Sequence, residues 1–156
     1  MIDVYLFDWG NTLMVDFPEQ RGKMCDWTTV EAITGAKETL ASLSKHAQIY
    51  IVTSARDSTE REIQQAFARV GLSEFVTGYF CKDNLGLLKG DPEFLKEIIS
   101  RLNKSIENIA MVGDSFDKDI KPAHLAGINA IWLTQNNDQY LPRNIKIINN
   151  LKELCI

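Results

Sequence analysis

Three short apolar runs in this chain each end in small polar or acidic residues, a pattern typical of the strands of an open α/β sheet. The runs lead into Asp8, into Thr53 and, through a glycine, into Asp114. Because strands that are buried on both faces are continuously apolar, the middle of each run is predicted to lie in the core. The last side chains then project from the carboxyl edge of the sheet, which is where open α/β sheets bind ligands.

The rest of the chain alternates between strand-like runs and segments with helical spacing. We predict a single domain, residues 1–156, with an α/β fold: a Rossmann-like three-layer sandwich around a mainly parallel sheet of about five strands. The strands are predicted at 4–7, 48–52, 79–81, 109–112 and 130–133, and 145–148 is either a last strand or a docked tail. The helices are predicted at 29–44, with the regular part starting at Gly35, and at 58–70, 91–102 and 118–126, with a polar loop at 135–139.

Local signals mark where some of these elements begin and end. Asp57, followed three residues later by Glu60, predicts a cap for the helix at 58–70, and Gly71 predicts its end. Asp117 is predicted to cap the helix that follows the fourth strand rather than to bind a metal. The hydroxyl of Thr12 is predicted to bond nearby backbone and so orient the turn after Asp8.

Composition narrows the class of protein. The chain is 45% hydrophobic and 24% charged, as in an ordinary soluble domain. A net charge of −4 argues against nucleic acid or an anionic membrane as the main partner. Cys25, Cys81 and Cys155 show no metal-binding or redox spacing, which favours a reducing compartment. No signal peptide is visible, and no run approaches the ~20 apolar residues of a membrane span, so we expect a cytoplasmic protein.

The polar residues at the predicted sheet edge suggest a site. Asp8, Thr53, Asp114 and Asp119 are expected to meet there, with Lys89 arriving from a loop. Carboxylates, a hydroxyl and an ammonium around one point suit a hard divalent cation and a phosphate-like anion. Taken alone, Asp8 could equally well be a strand-end residue that caps a turn. Thr53 alone would more simply form a turn bond, and Lys89 alone would more simply be a surface lysine. Their occurrence together favours the functional interpretation.

At these residues the chain resembles the haloacid dehalogenase superfamily of hydrolases. The resemblance extends from about residue 1 to residue 133 and rests on four motifs that occur in the family's order. They are Phe7-Asp8-Trp9-Gly10-Asn11-Thr12-Leu13, Ile51-Val52-Thr53-Ser54, Lys89 followed by Gly90-Asp91-Pro92, and Met111-Val112-Gly113-Asp114-Ser115 followed by Asp119.

The resemblance implies a role for each motif. Asp8 would be the nucleophile and, with the backbone carbonyl of Gly10 and the carboxylate of Asp114, a ligand of Mg²⁺. The hydroxyl of Thr53 and the backbone N–H of Ser54 would hold a phosphoryl oxygen.

The remaining motif residues would support this chemistry. Lys89 would offset carboxylate repulsion and the charge that develops on phosphorus. Asp119 would act through water or by holding Lys89. Arg56 is placed either to meet an anionic substrate or simply to be solvated.

Gly10 departs from the family's phosphatases, which usually carry a second aspartate at this position. That aspartate protonates the leaving group and later activates water, and such general acid–base help is worth ~10²–10⁴ in rate. Asp16 in the following loop is a candidate substitute, although most loop carboxylates are merely solvated. Three functions therefore stay open: a phosphate-ester hydrolase, a metal- and anion-binding protein with little turnover, and a hydrolase of carbon–phosphorus or carbon–halogen bonds.

Family members often insert a cap domain after the first or second motif. Only the short insert 14–28 is available after the first, and a helix, a strand and loops fill the stretch after the second. We therefore expect a capless or minimal-cap protein with an open site. In the family, this architecture goes with large substrates or with a homo-oligomer whose neighbour serves as the lid. The partner that the resemblance implies is a phosphorylated substrate, a small molecule or a larger one.

Overall fold

The computed structural model of the protein describes residues 1–136 and 141–156, so the predicted loop at 135–139 lies partly outside the described residues. Its centre is a six-stranded sheet in which every pair of neighbouring strands is parallel. The strands are β1 (Val4–Phe7), β2 (Gln48–Val52), β3 (Gly78–Phe80), β4 (Ile109–Gly113), β5 (Asn129–Leu133) and β6 (Ile145–Ile148). The predicted α/β fold is confirmed, and the segment at 145–148 is a strand rather than a docked tail.

The strand order is β3-β2-β1-β4-β5-β6, so the chain winds outward from β1 and then restarts at β4. The helices are α1 (Ala36–Leu43), α2 (Glu60–Ala68), α3 (Lys82–Leu85), α4 (Glu93–Leu102) and α5 (Lys121–Leu125). A π-helical turn, Phe116–Ile120, precedes α5, and 3₁₀ turns occur at Met24–Asp26, Ser73–Phe75, Ile106–Asn108 and Leu151–Leu154. The position between β1 and β4, where the winding reverses, is where such sheets bind ligands.

The core lies on both faces of the sheet. In β1, Tyr5 and Phe7 pack into the layer that contains α1 and α2. Val4 and Leu6 pack into the opposite layer, which contains α4 and α5. All four side chains are buried, which explains why this strand is continuously apolar in sequence.

The start of the regular helix at Gly35 is confirmed, but the segment before it is not helical as predicted. Apolar residues recur at helical spacing from residue 29, but the helix begins only at Ala36, directly after Gly35. The preceding residues pair with the chain that follows the first motif: the N–H of Val15 donates to Glu31 O, and the N–H of Ile33 donates to Leu13 O. Tertiary pairing therefore outweighs local helical spacing in this segment.

The cap of α2 also differs from its prediction. The cap is Thr59 rather than Asp57: its hydroxyl accepts from the N–H of Glu62 at 3.2 Å, and the Glu62 carboxylate accepts from the N–H of Thr59 at 2.9 Å. This reciprocal pair is a capping box two residues downstream of the predicted one. The helix ends before Gly71, as expected, and Gly71 has a left-handed φ of 73°.

The chain after β4 does not form one continuous helix over 118–126. It begins with the π-helical turn and continues as α5. The cap is the hydroxyl of Ser115, which accepts from the N–H of Lys118 at 3.2 Å, and the predicted cap at Asp117 is wrong. Among the described residues, no helix is both long and apolar enough to cross a bilayer.

Candidate active site

The ends of β1, β2 and β4 bring the predicted motifs to one edge of the sheet. Phe7, the last residue of β1, is in register with Ile51 of β2 and with Val112 of β4. The N–H of Asp8 donates to Val112 O at 2.9 Å, which continues the ladder one step beyond the strand. Asp8, Thr53 and Asp114 therefore leave the sheet side by side, as the sequence predicts.

Lys89 joins two of the carboxylates. Its ammonium is paired with Asp8 Oδ1 and lies 2.9 Å from Asp119 Oδ1. The Lys89 and Asp119 side chains are only 6% and 1% exposed, so the pairing takes place almost without solvent. Asp119 thus contacts Lys89 directly, which is one of the two arrangements expected for it.

This pairing sets the charge states of Asp8 and Lys89. Burial alone would raise the pKa of Asp8, but the charge of Lys89 and hydrogen bonds from its neighbours hold that pKa below its ordinary value. Burial would lower the pKa of Lys89, but the charges of Asp8 and Asp119 raise it instead. Asp8 is therefore held as a carboxylate and Lys89 as an ammonium.

Asp114 lies beside Asp8, but its pKa is shifted in the opposite direction. Burial, together with the hydrogen bond and charge of Asp8 and the charge of Asp119, raises the pKa of Asp114 to about 7. The hydroxyl of Thr12 lies 3.1 Å from Asp8 Oδ2 and 3.3 Å from Asp114 Oδ1, and donates to one of them. The prediction that Thr12 bonds backbone is wrong, because this fully buried hydroxyl faces carboxylates instead.

The carboxylates suit a divalent cation. Asp8, Asp114 and Asp119 each offer an oxygen, and these oxygens lie within 4.8 Å of one another. Three carboxyl groups at this spacing, two of them paired with Lys89, form the oxygen-rich surroundings that Mg²⁺ prefers. Of the predicted metal ligands, Asp8 and Asp114 are in this cluster. Gly10 lines the same cavity as Asp8, and metal binding by its backbone carbonyl stays a prediction.

Gly113 makes the close approach of Asp119 possible. A Cβ on Gly113 would lie 2.5 Å from both Cβ and Cγ of Asp119, and closer still to its Oδ2. The Asp119 carboxylate also accepts from the N–H of Ser115 at 3.3 Å. Glycine at this position therefore lets Asp119 pack against the strand end and reach Lys89.

We expect Gly113→Ala to displace Asp119 and to destabilise the fold by about 2–3 kcal/mol, because β4 is buried and cannot yield. Thermal unfolding should then show a midpoint lowered by about 5–10 °C. Gly10→Ala is the matched control, since a Cβ there meets Asp16 only at ordinary contact distances from 3.6 Å. Equal melting temperatures for the two variants would contradict this account of Gly113.

Thr53 and Ser54 lie beside the carboxylates. The Thr53 side chain is 5% exposed, and its Oγ1 accepts from the N–H of Ala55 at 3.1 Å. This is the turn bond expected of a strand-end threonine, but it uses only the acceptor capacity of the hydroxyl. The hydroxyl hydrogen is left to donate to a ligand oxygen in the cavity.

A cavity of about 450 Å³ opens over these residues. Its lining includes the predicted site residues Asp8, Gly10, Thr53, Ser54, Lys89, Asp114 and Asp119. Arg56 is exposed and is not among the described lining residues, so its contact with a substrate stays a prediction.

The insert supplies a wall of the cavity that the sequence did not predict. Gly22, Lys23, Met24 and Trp27 all line it. Trp9 also lines it but is a buried anchor, 7% exposed, whose indole N–H donates to Met24 Sδ at 3.0 Å. Lys23 pairs with Glu62 on α2 at 2.7 Å. The sequence did carry a signal for this wall. The insert contains Met24 and Trp27, and large apolar side chains are seldom left exposed in a loop.

Fold and site together define an α/β protein of the Rossmann-like class whose sheet edge carries a carboxylate cluster bridged by a lysine. The family model described as haloacid dehalogenase-like hydrolase matches residues 10–127, more than half of the chain. The chain belongs to this family of hydrolases, as its motifs indicate.

Curated relatives match in part. The chain is 28% identical over 127 residues to a putative HAD-hydrolase, YfnB, of Bacillus subtilis, covering 80% of this chain and 53% of that protein. It is 30% identical over 98 residues to a glyceraldehyde 3-phosphate phosphatase of Methanocaldococcus jannaschii, covering 54% of this chain and 43% of that protein. The chain thus spans about half the length of the curated relatives it matches.

Solved structures share the fold. An uncharacterised protein from Listeria monocytogenes superposes with a TM-score of 0.83 at 21% identity, covering 98% of this chain and 94% of that chain. The structure of YfnB bound to magnesium superposes with a TM-score of 0.77 at 16% identity, covering 98% and 96% of the two chains.

Proposed function

We propose that the chain is a Mg²⁺-dependent phosphatase that hydrolyses a phosphate monoester through an aspartyl-phosphate on Asp8. The observation that carries the proposal is the ion pair of the ionised Asp8 with the buried Lys89, beside the Asp114 carboxylate, at the floor of an open cavity. The similarity to a phosphatase over about half of the chain supports a phosphate ester as the substrate class.

Each residue of the site has its own role in the proposed reaction. Asp8 is the nucleophile: its carboxylate oxygen attacks phosphorus. The ammonium of Lys89 and the hydroxyl of Thr53 face the charge that grows on the phosphoryl oxygens. Asp119 holds Lys89 in place through the 2.9 Å contact. Thr12 positions the Asp8 and Asp114 carboxylates relative to each other.

The residues that would hold Mg²⁺ are Asp8 and Asp114, with Asp119 nearby. When bound there, the ion would act as a Lewis acid that offsets the negative charge of both the carboxylates and the phosphate.

Gly10 favours a second candidate function. The position that follows Trp9 carries no side chain, so it offers no acid for the leaving group. A protein with the same carboxylates and Lys89 but no proton donor would bind a divalent cation and an anion with little turnover. Hydrolysis of a carbon–phosphorus or carbon–halogen bond is the third possibility.

The test is hydrolysis of p-nitrophenyl phosphate by the protein with Mg²⁺ and after removal of metal with a chelator. We expect turnover that is lost with the chelator and restored by Mg²⁺, because p-nitrophenolate leaves readily without a proton. Chloroacetate and a phosphonate serve as parallel substrates. Absent turnover with Mg²⁺ binding intact by calorimetry would favour the binding protein, and turnover only of a parallel substrate would favour the third possibility.

A further inference from the structure

Five aspartates line the cavity: Asp8, Asp16, Asp57, Asp114 and Asp119. Three of them form the cluster that surrounds Lys89. Asp16 and Asp57 lie outside this cluster, and both are exposed. A proton donor for a leaving group is sought outside the cluster, because the proposed function uses Asp8 as the nucleophile, Asp114 as a metal ligand and Asp119 as the partner of Lys89. The described cavity lining therefore offers two aspartates for that task.

The turn after Asp8 distinguishes Asp16 from Asp57 by position. The N–H groups of Leu13 and Met14 converge on Trp9 O at 3.0 and 3.1 Å, and Asn11 has a left-handed φ of 60°. The chain thus reverses tightly, and Met14 forms a bridge back to Gly10.

The same turn fixes the position of Asp16. The N–H of Asp16 donates to Asn11 Oδ1 at 3.0 Å, which ties the loop to the turn. A Cβ built on Gly10 would lie 3.6 Å from the Cβ of Asp16 and 3.8 Å from its Oδ2. The carboxyl group of Asp16 therefore borders the space that a side chain at position 10 would enter, beside the nucleophile. The three atoms nearest to that Cβ all belong to Asp16, and none belongs to Asp57.

We propose that Asp16 is the general acid and base of this site, supplying from the loop the carboxyl group that Gly10 cannot carry. The inference rests on the proposed phosphatase function. Gly10 and Asp16 then form a complementary pair: the missing side chain leaves room at position 10, and the loop brings a carboxyl group to its border.

The proton balance of the two steps is complete with this residue. In the first step a bond forms between an Asp8 oxygen and phosphorus, the bond from phosphorus to the ester oxygen breaks, and protonated Asp16 gives its proton to the departing alkoxide. In the second step the Asp16 carboxylate takes a proton from water as the water oxygen attacks phosphorus. The bond to Asp8 breaks, inorganic phosphate leaves, and Asp16 is protonated again.

The experiment compares leaving groups. For the wild type and Asp16→Asn, kcat/KM is measured with a series of phosphate monoesters, from p-nitrophenyl phosphate to a simple alkyl phosphate. We expect Asp16→Asn to lower hydrolysis of the alkyl ester by roughly 10²-fold while barely changing that of the p-nitrophenyl ester. The dependence of rate on leaving-group pKa therefore becomes steeper, an effect that a purely structural role would not produce.

Matched variants test whether the carboxyl group of Asp16 itself causes the effect. Asp57→Asn removes the other exposed carboxylate of the cavity and should keep the wild-type dependence on leaving group. In the Asp16→Asn background, Gly10→Asp should restore alkyl-ester hydrolysis, whereas Gly10→Ala adds the same Cβ without a carboxyl group and should not.

The outcomes separate the two proposals. If the wild type hydrolyses the series and Asp16→Asn has the same dependence on leaving group, or Asp57→Asn steepens it equally, the role of Asp16 is wrong and the phosphatase proposal stands. If the wild type hydrolyses none of the esters with Mg²⁺ present, the phosphatase proposal is wrong, and the role of Asp16 is wrong with it.

Discussion

Replacing Asp8 by Asn is expected to lower hydrolysis of phosphate esters by roughly 10³-fold or more, while the fold is retained. An amide has nearly the same shape as the carboxylate, but it does not form an aspartyl-phosphate. The pair between Lys89 and Asp119 remains in this variant, so the lysine keeps a partner. The variant should also take less label from a radioactive phosphate ester in acid-quenched samples, because no covalent intermediate forms.

The measurement is kcat with p-nitrophenyl phosphate at saturating Mg²⁺, with circular dichroism to confirm folding. Asp117→Asn is the matched control, since this exposed aspartate lies close to Asp119 in sequence but outside the cavity lining. It should hydrolyse the ester at the wild-type rate. Near-normal turnover of Asp8→Asn would show that the nucleophile lies elsewhere.

Replacing Lys89 by Met is expected to remove activity and to destabilise the protein by about 3–5 kcal/mol at neutral pH, since the buried partners of an ion pair are left uncompensated. Asp119 is 1% exposed and Asp8 is 13% exposed, so water would solvate these carboxylates only in part once the ammonium is gone. Together with Asp114, these carboxylates would face one another without a cation.

The loss of stability in Lys89→Met should depend on pH. The charge of Lys89 lowers the pKa of both Asp8 and Asp119, so its removal raises both pKa values in the folded state. The folded variant then binds more protons than the unfolded chain, and its stability falls as pH rises from the ordinary carboxyl range through the raised values. Urea unfolding should therefore show a larger difference from wild type at pH ~7.5 than at pH ~5.

Lys96→Met provides the control for Lys89→Met. Lys96 is 66% exposed, and its ammonium lies 3.6 Å from the carboxylate of Glu93. The substitution therefore removes a lysine whose ion pair is open to solvent. Exposed pairs of this kind contribute little to stability. If Lys89→Met were no less stable than Lys96→Met at neutral pH, the ion pairs of Lys89 would not be holding the carboxylates together.

The sheet could be predicted because parallel strands leave a strong local signal. The run at 4–7 is wholly apolar, and the strand is buried on both faces. The helical spacing at 29–34 gave the wrong prediction, because those residues pair with residues 13–15 instead of forming a helix. Spacing describes which residues are apolar, but it does not say which element covers them.

The candidate site could be predicted as a set of residues but not as a set of contacts. The motifs placed Asp8, Thr53, Lys89, Asp114 and Asp119 at one edge, and all of them line one cavity. The hydrogen-bond partners of Thr12 were not predicted, because the sequence does not show whether its hydroxyl turns toward nearby backbone or toward Asp8 and Asp114. The wall contributed by the insert was missed for the same reason: local sequence does not show which surface a loop will cover.

The site also links function to folding. Its principal contact joins residues 81 positions apart, and no single strand–helix unit contains both a clustered carboxylate from β1 and one from β4. An unfolded chain therefore has dispersed aspartates and no such site, so a cation or phosphate that occupied the proposed site would bind the folded state alone. By mass action, each such ligand would stabilise the folded domain, by an amount that rises with the logarithm of its concentration once that exceeds the dissociation constant. Resistance to unfolding would thus follow the supply of cation and substrate.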